Sequence, residues 1–250
     1  MEGSRLPRAN LETFLSGLNA PQRKAVRATA GPVLVLAGAG SGKTRVITQR
    51  IGYILAKGLA APDEVLAVTF TNKAAAEMRE RVGELIGKQS AKPLVISTFH
   101  SFCLRLLRKH IDQLGFRRNF TIAGEGDARA LLGRVVDDLA SQESYSPAAF
   151  QSAISLHKNS DSVPDAERPQ LARTENALKY AEAIPEVYRR YESALRAANS
   201  LDFDDLLLLT LRLLRERAEL REKYQQRFKY IMVDEYQDTN GVQFELVRLL

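Results

Sequence analysis

A glycine-rich segment near the start of the chain has the residue types and spacing of a phosphate-binding loop. It runs from Ala37 to Thr44 as AGAGSGKT, between an apolar run and a helical pattern. Glycines let backbone N–H groups converge on phosphate oxygens, and a helix N-terminus adds a positive partial charge. Lys43 can reach the β- and γ-phosphates of a nucleotide, and the Thr44 hydroxyl can ligate Mg²⁺. Because the strict motif has glycine where Ala37 stands, a simple turn before a helix is the alternative.

A second group of chemically capable residues follows the apolar run YIMV, far along the chain. Asp234 and Glu235 come directly after Val233, in the sequence VDEYQD. Carboxylates at the C-terminal end of a parallel strand lie where such sheets bind ligands. Asp234 would hold Mg²⁺ through water, and Glu235 would orient and deprotonate an attacking water. Gln237 and Asp238 could sense the γ-phosphate or pair with neighbouring loops. A solvated acidic turn is the alternative, but the two segments predict each other.

These segments need a sheet to position them, and the hydrophobic pattern predicts one. Short apolar runs rich in β-branched residues indicate strands. They lie at Pro32–Gly38, Val65–Thr71, Leu94–Phe99 and Tyr230–Val233. Helical patterns between them run from Lys43 to about Lys57, over Lys73–Ile86 and over Ser101–Leu114. The alternation predicts an α/β fold, with a P-loop and a parallel sheet that carries helices on both faces.

The alternation stops between about Lys109 and Ser200, where helical patterns dominate, at Gly126–Ala140 and Ala177–Ala198. We therefore predict a mainly helical insertion at 109–199, within a sheet domain formed by 1–108 and 200–250. A separate domain on a linker is the alternative. The strand at Tyr230–Val233 favours an insertion, because it can complete the first sheet.

Three side-chain groups have a structural interpretation as well as a functional one. The acidic residues Asp202, Asp204 and Asp205 suggest a metal site, but a helix N-terminus favours acidic residues in any case. Cys103 is expected in the core. Tyr188 and Tyr191 lie on a predicted helix and are expected to pack rather than to bind.

Composition and charge limit the classes of protein that fit. Of 250 residues, 45% are hydrophobic and 26% charged, which excludes a disordered chain. One cysteine and three scattered histidines exclude an internal disulfide and Cys- or His-rich metal clusters. Since the chain has no apolar stretch of about 18 residues, and no apolar segment in MEGSRLPRAN, we expect no membrane span, no secretory signal and a cytoplasmic location.

The positive charge is concentrated in the first half. Residues 1–110 carry 17 Lys and Arg against 7 Asp and Glu, whereas 111–250 carry 19 against 23. A basic half indicates a polyanionic partner, with nucleic acid first, although ordinary scatter of surface charge is the alternative.

Taken together, the motifs resemble those of the UvrD/Rep/PcrA family of superfamily 1 DNA helicases. The matching segments follow the family's order, at Leu18–Gln22, Ala37–Arg45, Thr69–Met78, Ser97–Phe102, Leu201–Leu206 and Val233–Asn240. The resemblance implies a RecA-like subdomain 1A, interrupted by a helical subdomain 1B. It also implies ATP and Mg²⁺ as cofactors, with Lys43, Asp234, Glu235 and Gln237 in catalysis and Thr44 and Asp234 at the metal.

The resemblance assigns further residues to the nucleotide. Gln22 would hydrogen-bond the adenine edge, and Arg45 would pack on the base. Without the resemblance, Gln22 is an ordinary helix-start residue and Arg45 a solvent-facing charge. The nucleotide-binding set is Gln22, Ala37, Gly38, Ala39, Gly40, Ser41, Gly42, Lys43, Thr44 and Arg45.

A second implied set would bind single-stranded DNA. Phe70 would stack on a base, which any base sequence allows because every base has a π-face. The alternatives are core packing for Phe70 and a structural hydrogen bond for His100. The residues expected to contact the DNA phosphates are Thr71, Asn72 and Lys73. The residues expected along the path of the single-stranded DNA are Thr98, Phe99 and His100.

The resemblance therefore predicts the N-terminal part of an ATP-dependent 3′–5′ single-stranded DNA translocase, in DNA repair or replication at the nucleoid. Its partners would be single-stranded DNA, junctions with duplex DNA and its own subdomains 2A and 2B. In the family these subdomains follow the segment that matches Val233–Asn240. Without them, we expect weak nucleotide binding and poor hydrolysis. Two alternatives stay open: the helicase part of a helicase–nuclease, which Tyr236 disfavours, and a short nucleotide- or DNA-binding protein without turnover.

Overall fold

The computed structural model describes residues 11–38, 40–139, 146–160 and 175–250. Within these ranges the chain is mostly helical, with a small parallel sheet. The strands are β1 Val65–Thr69, β2 Val95–Thr98, β3 Thr121–Ile122, β4 Ser200–Leu201 and β5 Tyr230–Val233. The helices are α1 Ala20–Arg27, α2 Lys43–Ala56, α3 Asn72–Ile86, α4 Lys88–Ala91, α5 Phe99–His110, α6 Glu125–Asp137, α7 Pro147–Asn159, α8 Glu175–Ala197, α9 Phe203–Glu216, α10 Ala218–Arg227 and α11 Gly241–Leu249.

The described residues divide into two compact units. The first is drawn from Met1–Phe99 and Glu219–Asp238 together with Leu250, and the second from His100–Ala218 and Thr239–Leu249. No helix in the described part of the chain has both the length and the apolar character needed to cross a membrane.

The first unit is built on parallel strands in the order β2-β1-β5, as far as the structure describes them. Leu66 of β1 pairs with Val95 of β2 on one side and with Ile231 of β5 on the other. All five residues of β1 are buried, because neighbouring strands and helices cover it. Three of the predicted strands are thus confirmed, as are the helices predicted after the glycine-rich segment and after β1.

The predicted strand at Pro32–Gly38 is wrong. The segment carries no ladder within the described residues, and its apolar side chains are exposed, Leu36 by 87%. A β-branched composition favours an extended backbone, but a strand also needs a neighbour for its N–H and C=O groups. Here the described sheet does not extend to this segment, so the composition was a misleading signal.

Helices make up most of the second unit. Their core contains Leu132 of α6, Phe150 and Ile154 of α7, and Val187 and Tyr191 of α8, all buried. The predicted helical patterns at 126–140 and 177–198 correspond to α6 and α8. Cys103 is buried too, in accord with its expected place in a core.

Helix α9 begins where the acidic residues stand. Asp202 precedes the helix, and its side chain accepts a hydrogen bond from the Asp205 N–H, while the Asp205 side chain accepts from the Asp202 N–H. This reciprocal capping satisfies two backbone donors. The interpretation of these acidic residues as a helix N-terminus is confirmed.

Candidate nucleotide site and candidate DNA contacts

The glycine-rich segment ends at the start of α2. Gly40 and Gly42 have φ angles of +71° and +84°, a left-handed conformation that favours glycine. The Ser41 N–H and hydroxyl both donate to the Gly38 carbonyl, at 3.3 and 2.6 Å. Helix geometry leaves the first N–H groups of α2, which begins at Lys43, without an intrahelical acceptor, so this end of the helix is suited to an anion. Ala39, predicted to take part, lies outside the described residues.

The glycine-rich segment and the acidic strand end meet in the first unit. Thr44 Oγ1 donates to Asp234 Oδ2 at 3.4 Å, although the two residues are 190 positions apart. Lys43 Nζ lies 3.6 Å from Glu235 Oε2 and donates to the Ala37 carbonyl at 3.4 Å. The two predicted pairs are therefore adjacent, with a lysine, a hydroxyl and two carboxylates around one point.

Asp234 is anchored through its backbone, and one of its carboxylate oxygens has no described partner. Its N–H donates to the Val68 carbonyl at 2.9 Å, which continues the pairing of β5 with β1. The side chain is buried, and no described group hydrogen-bonds to Oδ1. Burial raises the pKa of Asp234 and the neighbouring Glu235 charge raises it further, while Thr44 and Lys43 oppose the shift. A buried carboxylate oxygen without a partner, beside a hydroxyl, is a donor set that suits Mg²⁺.

Glu235 and Gln237 form a second contact at the same point. Glu235 has a φ angle of +53°, an uncommon conformation for a residue with a side chain, and such conformations occur at functional sites. Gln237 Nε2 donates to Glu235 Oε2 at 2.5 Å and to Asp238 Oδ2 at 3.3 Å. The Gln237 amide and the Lys43 ammonium therefore both contact Oε2 of the Glu235 carboxylate.

Asp234→Asn should raise the melting temperature by a few degrees at neutral pH, since it removes a charge that burial disfavours. Because folding raises the pKa of Asp234, protonation favours the folded state, and this stability is lost as pH rises through that pKa. The gain should therefore vanish below about pH 4. Melting curves across pH test this, with exposed Asp63→Asn as the matched control, and an unchanged or lower melting temperature at neutral pH would contradict it.

Gln22 lies beside the glycine-rich segment. Its side chain completes a capping box with Asn19 at the start of α1, and its Nε2 donates to the Ser41 carbonyl at 2.9 Å. The interpretation of Gln22 as a helix-start residue is confirmed, and its contact with adenine stays a prediction. Arg45 is exposed on the first turn of α2.

Phe70 and the three residues after it form an exposed patch between β1 and α3. Phe70 is 38% exposed and packs edge-on against Phe99, with ring centroids 6.4 Å apart. Thr71 caps α3 by accepting from the Ala74 N–H at 3.1 Å, and Asn72 and Lys73 stand exposed in the first turn. A ring, a lysine and a helix N-terminus lie together here.

The other predicted DNA contacts differ in exposure. Thr98 and Phe99 are buried at the end of β2 and the start of α5, whereas His100 is partly exposed. His100 stacks on Phe203, with centroids 3.9 Å apart and planes 19° apart. Burial lowers the pKa of His100, while the Asp204 charge opposes this shift.

Two features of the second unit were not predicted from the sequence. Phe203 is 57% exposed, although it lies between acidic residues for which only a metal site or a helix start was predicted. Lys158 is fully buried, and its Nζ lies 2.6 Å from Glu192, 2.8 Å from Asp202 and 2.6 Å from Asp205. These three carboxylates could surround a cation, and the lysine ammonium fills that place. Tyr191 donates its hydroxyl to Asp202 at 3.0 Å, so it packs as predicted.

Comparison with known proteins gives one family and a set of close relatives. Residues 18–250 match the model of the UvrD/REP helicase N-terminal domain. The chain is 42% identical over 242 residues to the ATP-dependent DNA helicase PcrA of Leuconostoc citreum, covering 96% of this chain and 32% of that protein. It is 43% identical to the helicase of the same name from Staphylococcus aureus strain Mu50, with the same coverage. The Bacillus subtilis protein of that name is also 43% identical, over 95% of this chain and 31% of its own length. The chain thus spans about a third of the length of these curated relatives.

Proposed function

The chain belongs to the UvrD/REP helicase family, and from this we propose that it is the ATP- and DNA-binding N-terminal part of a single-stranded DNA translocase. One observation carries the proposal: Lys43 and Thr44 lie next to Asp234 and Glu235. That juxtaposition of a helix N-terminus, a lysine and two carboxylates is what phosphoryl transfer from a nucleotide requires.

The residues at this point suit ATP with Mg²⁺. The N–H groups of the glycine-rich segment and Lys43 would bind the phosphates, and Gln22, beside Ser41, would contact the adenine. Thr44 and Asp234 would hold the metal, since both offer oxygen donors and Asp234 Oδ1 lacks a described partner. Bound Mg²⁺ would neutralise phosphate charge.

Glu235 would accept a proton from the attacking water. Its contacts with Gln237 and Lys43 hold its carboxylate at the edge of the sheet. Gln237 acts through Glu235 in this structure, and it would sense the γ-phosphate by exchanging that contact for one to the nucleotide.

We infer that DNA binds at two exposed aromatic positions. Phe70 would stack on a base, with Thr71, Asn72 and Lys73 at the phosphates. His100 with Phe203 would supply a second ring surface. Thr98 and Phe99, both buried, would support the Phe70 contact from below the surface, Phe99 through its ring contact with Phe70.

The finer assignments follow from the family. We propose that the sheet belongs to a RecA-like subdomain 1A, with 109–199 as an inserted subdomain 1B, and that translocation runs 3′ to 5′. Hydrolysis at full rate and coupling to unwinding would need the remaining two thirds that the relatives possess. In the family, the subdomains in that part would supply arginine fingers, and loss of an arginine finger lowers phosphoryl-transfer rates by about 10³–10⁵.

Phe70→Ala should weaken binding of a labelled oligothymidylate by roughly 5- to 150-fold, because each stacked base contributes about 1–3 kcal/mol. Nucleotide affinity should not change. Fluorescence anisotropy measures the first quantity and titration with a fluorescent ATP analogue the second. Phe244→Ala is the matched control, since Phe244 is a similarly exposed ring on α11. Equal loss in both variants, or none in Phe70→Ala, would remove Phe70 from the DNA contact.

A further inference from the structure

The side chain of Asn159 joins three helix ends in the second unit. Asn159 is the last residue of α7. Its Nδ2 donates to Asp204 Oδ1 in the first turn of α9, at 2.9 Å. Its Oδ1 accepts from Asn240 Nδ2 at 2.6 Å. Asn240 in turn caps α11, exchanging hydrogen bonds with Gln243.

Lys158, the preceding residue, holds the same turn of α9 through Asp202 and Asp205. Every acidic residue in 202–205 is therefore engaged by the end of α7. Phe203 differs from these acidic neighbours, because its ring is exposed and stacks on His100. Asp202 and Asp205 are buried and Asp204 is half-buried, whereas the Phe203 ring is presented to solvent.

This geometry matters for a polyanionic ligand. Outward-facing carboxylates beside Phe203 would repel DNA phosphates. Phe203, Asp204 and Asn159 line one open cleft of about 870 Å³. A base stacked on the Phe203 ring would therefore lie close to Asp204 and Asn159. The bond from Asn159 to Asp204 limits how the first turn of α9 can rotate, and hence where the ring points.

Only an amide meets both demands on residue 159. It must donate to the Asp204 carboxylate and accept from the Asn240 amide at the same time. A carboxylate would accept from Asn240 but repel Asp204, and alanine would do neither.

We propose that Asn159 is a positioning residue for single-stranded DNA, which sets the direction of the Phe203 ring through Asp204. This inference rests on the proposed function, and it adds to that function a residue that orients the proposed DNA contact at Phe203. Asn159 itself need not touch the DNA.

The test exchanges the amide and the acid. Asn159→Asp should weaken binding of a labelled oligothymidylate about fivefold or more, as loss of a hydrogen bond to a charged group predicts. The double variant Asn159→Asp with Asp204→Asn should recover part of the affinity, because the amide now on α9 can donate to the carboxylate now on α7. Asn240 still donates to that carboxylate, and only the bond from residue 159 to the Ser155 carbonyl is lost. Nucleotide affinity should stay constant in both, and thermal unfolding should show both variants folded.

Phe203→Ala separates this inference from the proposed function. If the wild-type chain binds oligothymidylate but Phe203→Ala binds equally well, the positioning role and the assignment of Phe203 to the DNA are wrong, while the proposed nucleotide site and the Phe70 contact stand. A double variant as weak as Asn159→Asp alone, or an Asn159→Ala variant that binds like wild type, also overturns the role. Absence of DNA binding by the wild-type chain would overturn the proposed function itself, and the positioning role with it.

Discussion

Lys43→Ala should lower the affinity of the chain for an ATP analogue on the order of 100-fold, since a hydrogen bond to a charged group contributes about 1.5–3 kcal/mol and Lys43 can serve two phosphates. Its Nζ already lies within 3.6 Å of Glu235 and 3.4 Å of the Ala37 carbonyl, at the end of the glycine-rich segment. A bound triphosphate would replace these weak contacts, and Lys43 would not have to move far to reach its phosphates. Titration with a fluorescent ATP analogue and Mg²⁺ measures the loss.

The same variant should unfold almost like wild type. The contact between Lys43 and Glu235 is long and both side chains are partly exposed, so its loss should cost less than about 1 kcal/mol. Lys92→Ala, at an exposed lysine after α4, is the matched control and should leave nucleotide affinity unchanged. If Lys43→Ala binds the analogue as wild type does, the assignment of the glycine-rich segment to phosphate is wrong.

The sheet strands could be predicted from composition because burial on both faces leaves a continuous apolar run. β1 is VLAVT with every residue buried, and β5 is the predicted YIMV. The position of Asp234 follows, since it comes directly after β5 and parallel strands end at one edge. Proximity to Thr44 does not follow from this strand argument, because the segment before Thr44 is not a strand; it was predicted from the pairing of a phosphate-binding loop with an acidic strand end.

The run at Val33–Leu36 shows the limit of that argument. Its composition matches that of β1, yet its side chains are exposed and it carries no ladder in the described residues. Apolar, β-branched residues favour burial, but a strand also needs a neighbouring strand to pair with, and no local sequence pattern encodes where that neighbour lies.

Lys158 and Phe203 were missed because each reverses the usual relation between residue type and burial. Lysine is almost never buried unless it is paired, and its carboxylate partners lie 34 to 47 positions later in the chain. Phe203 is exposed, whereas Asp202 and Asp205 beside it are buried and paired with Lys158. A single aromatic residue between acidic residues at a helix start was the available signal for an exposed ring, but only the charges of this segment entered the prediction.

Lys158→Met should destabilise the second unit by about 3–5 kcal/mol, because it leaves three carboxylates without their cation. Methionine keeps most of the volume, so the loss is electrostatic rather than a cavity. The melting temperature should fall by roughly 10 °C or more. Lys109→Met, at an exposed lysine on α5, is the matched control and should change it little.

The pH dependence identifies the cause. Burial and the neighbouring carboxylates raise the pKa of Asp205 to about 8, even though Lys158 opposes the shift. Without the lysine, which lowers it, the pKa of Asp205 should rise further. Groups with raised pKa values stabilise the folded state when protonated and lose that contribution as pH rises. The destabilisation by Lys158→Met should therefore be large near about pH 8 and small near about pH 5. Adding Asp205→Asn should recover part of the stability at the higher pH, whereas an equal loss at both pH values would assign the effect to packing.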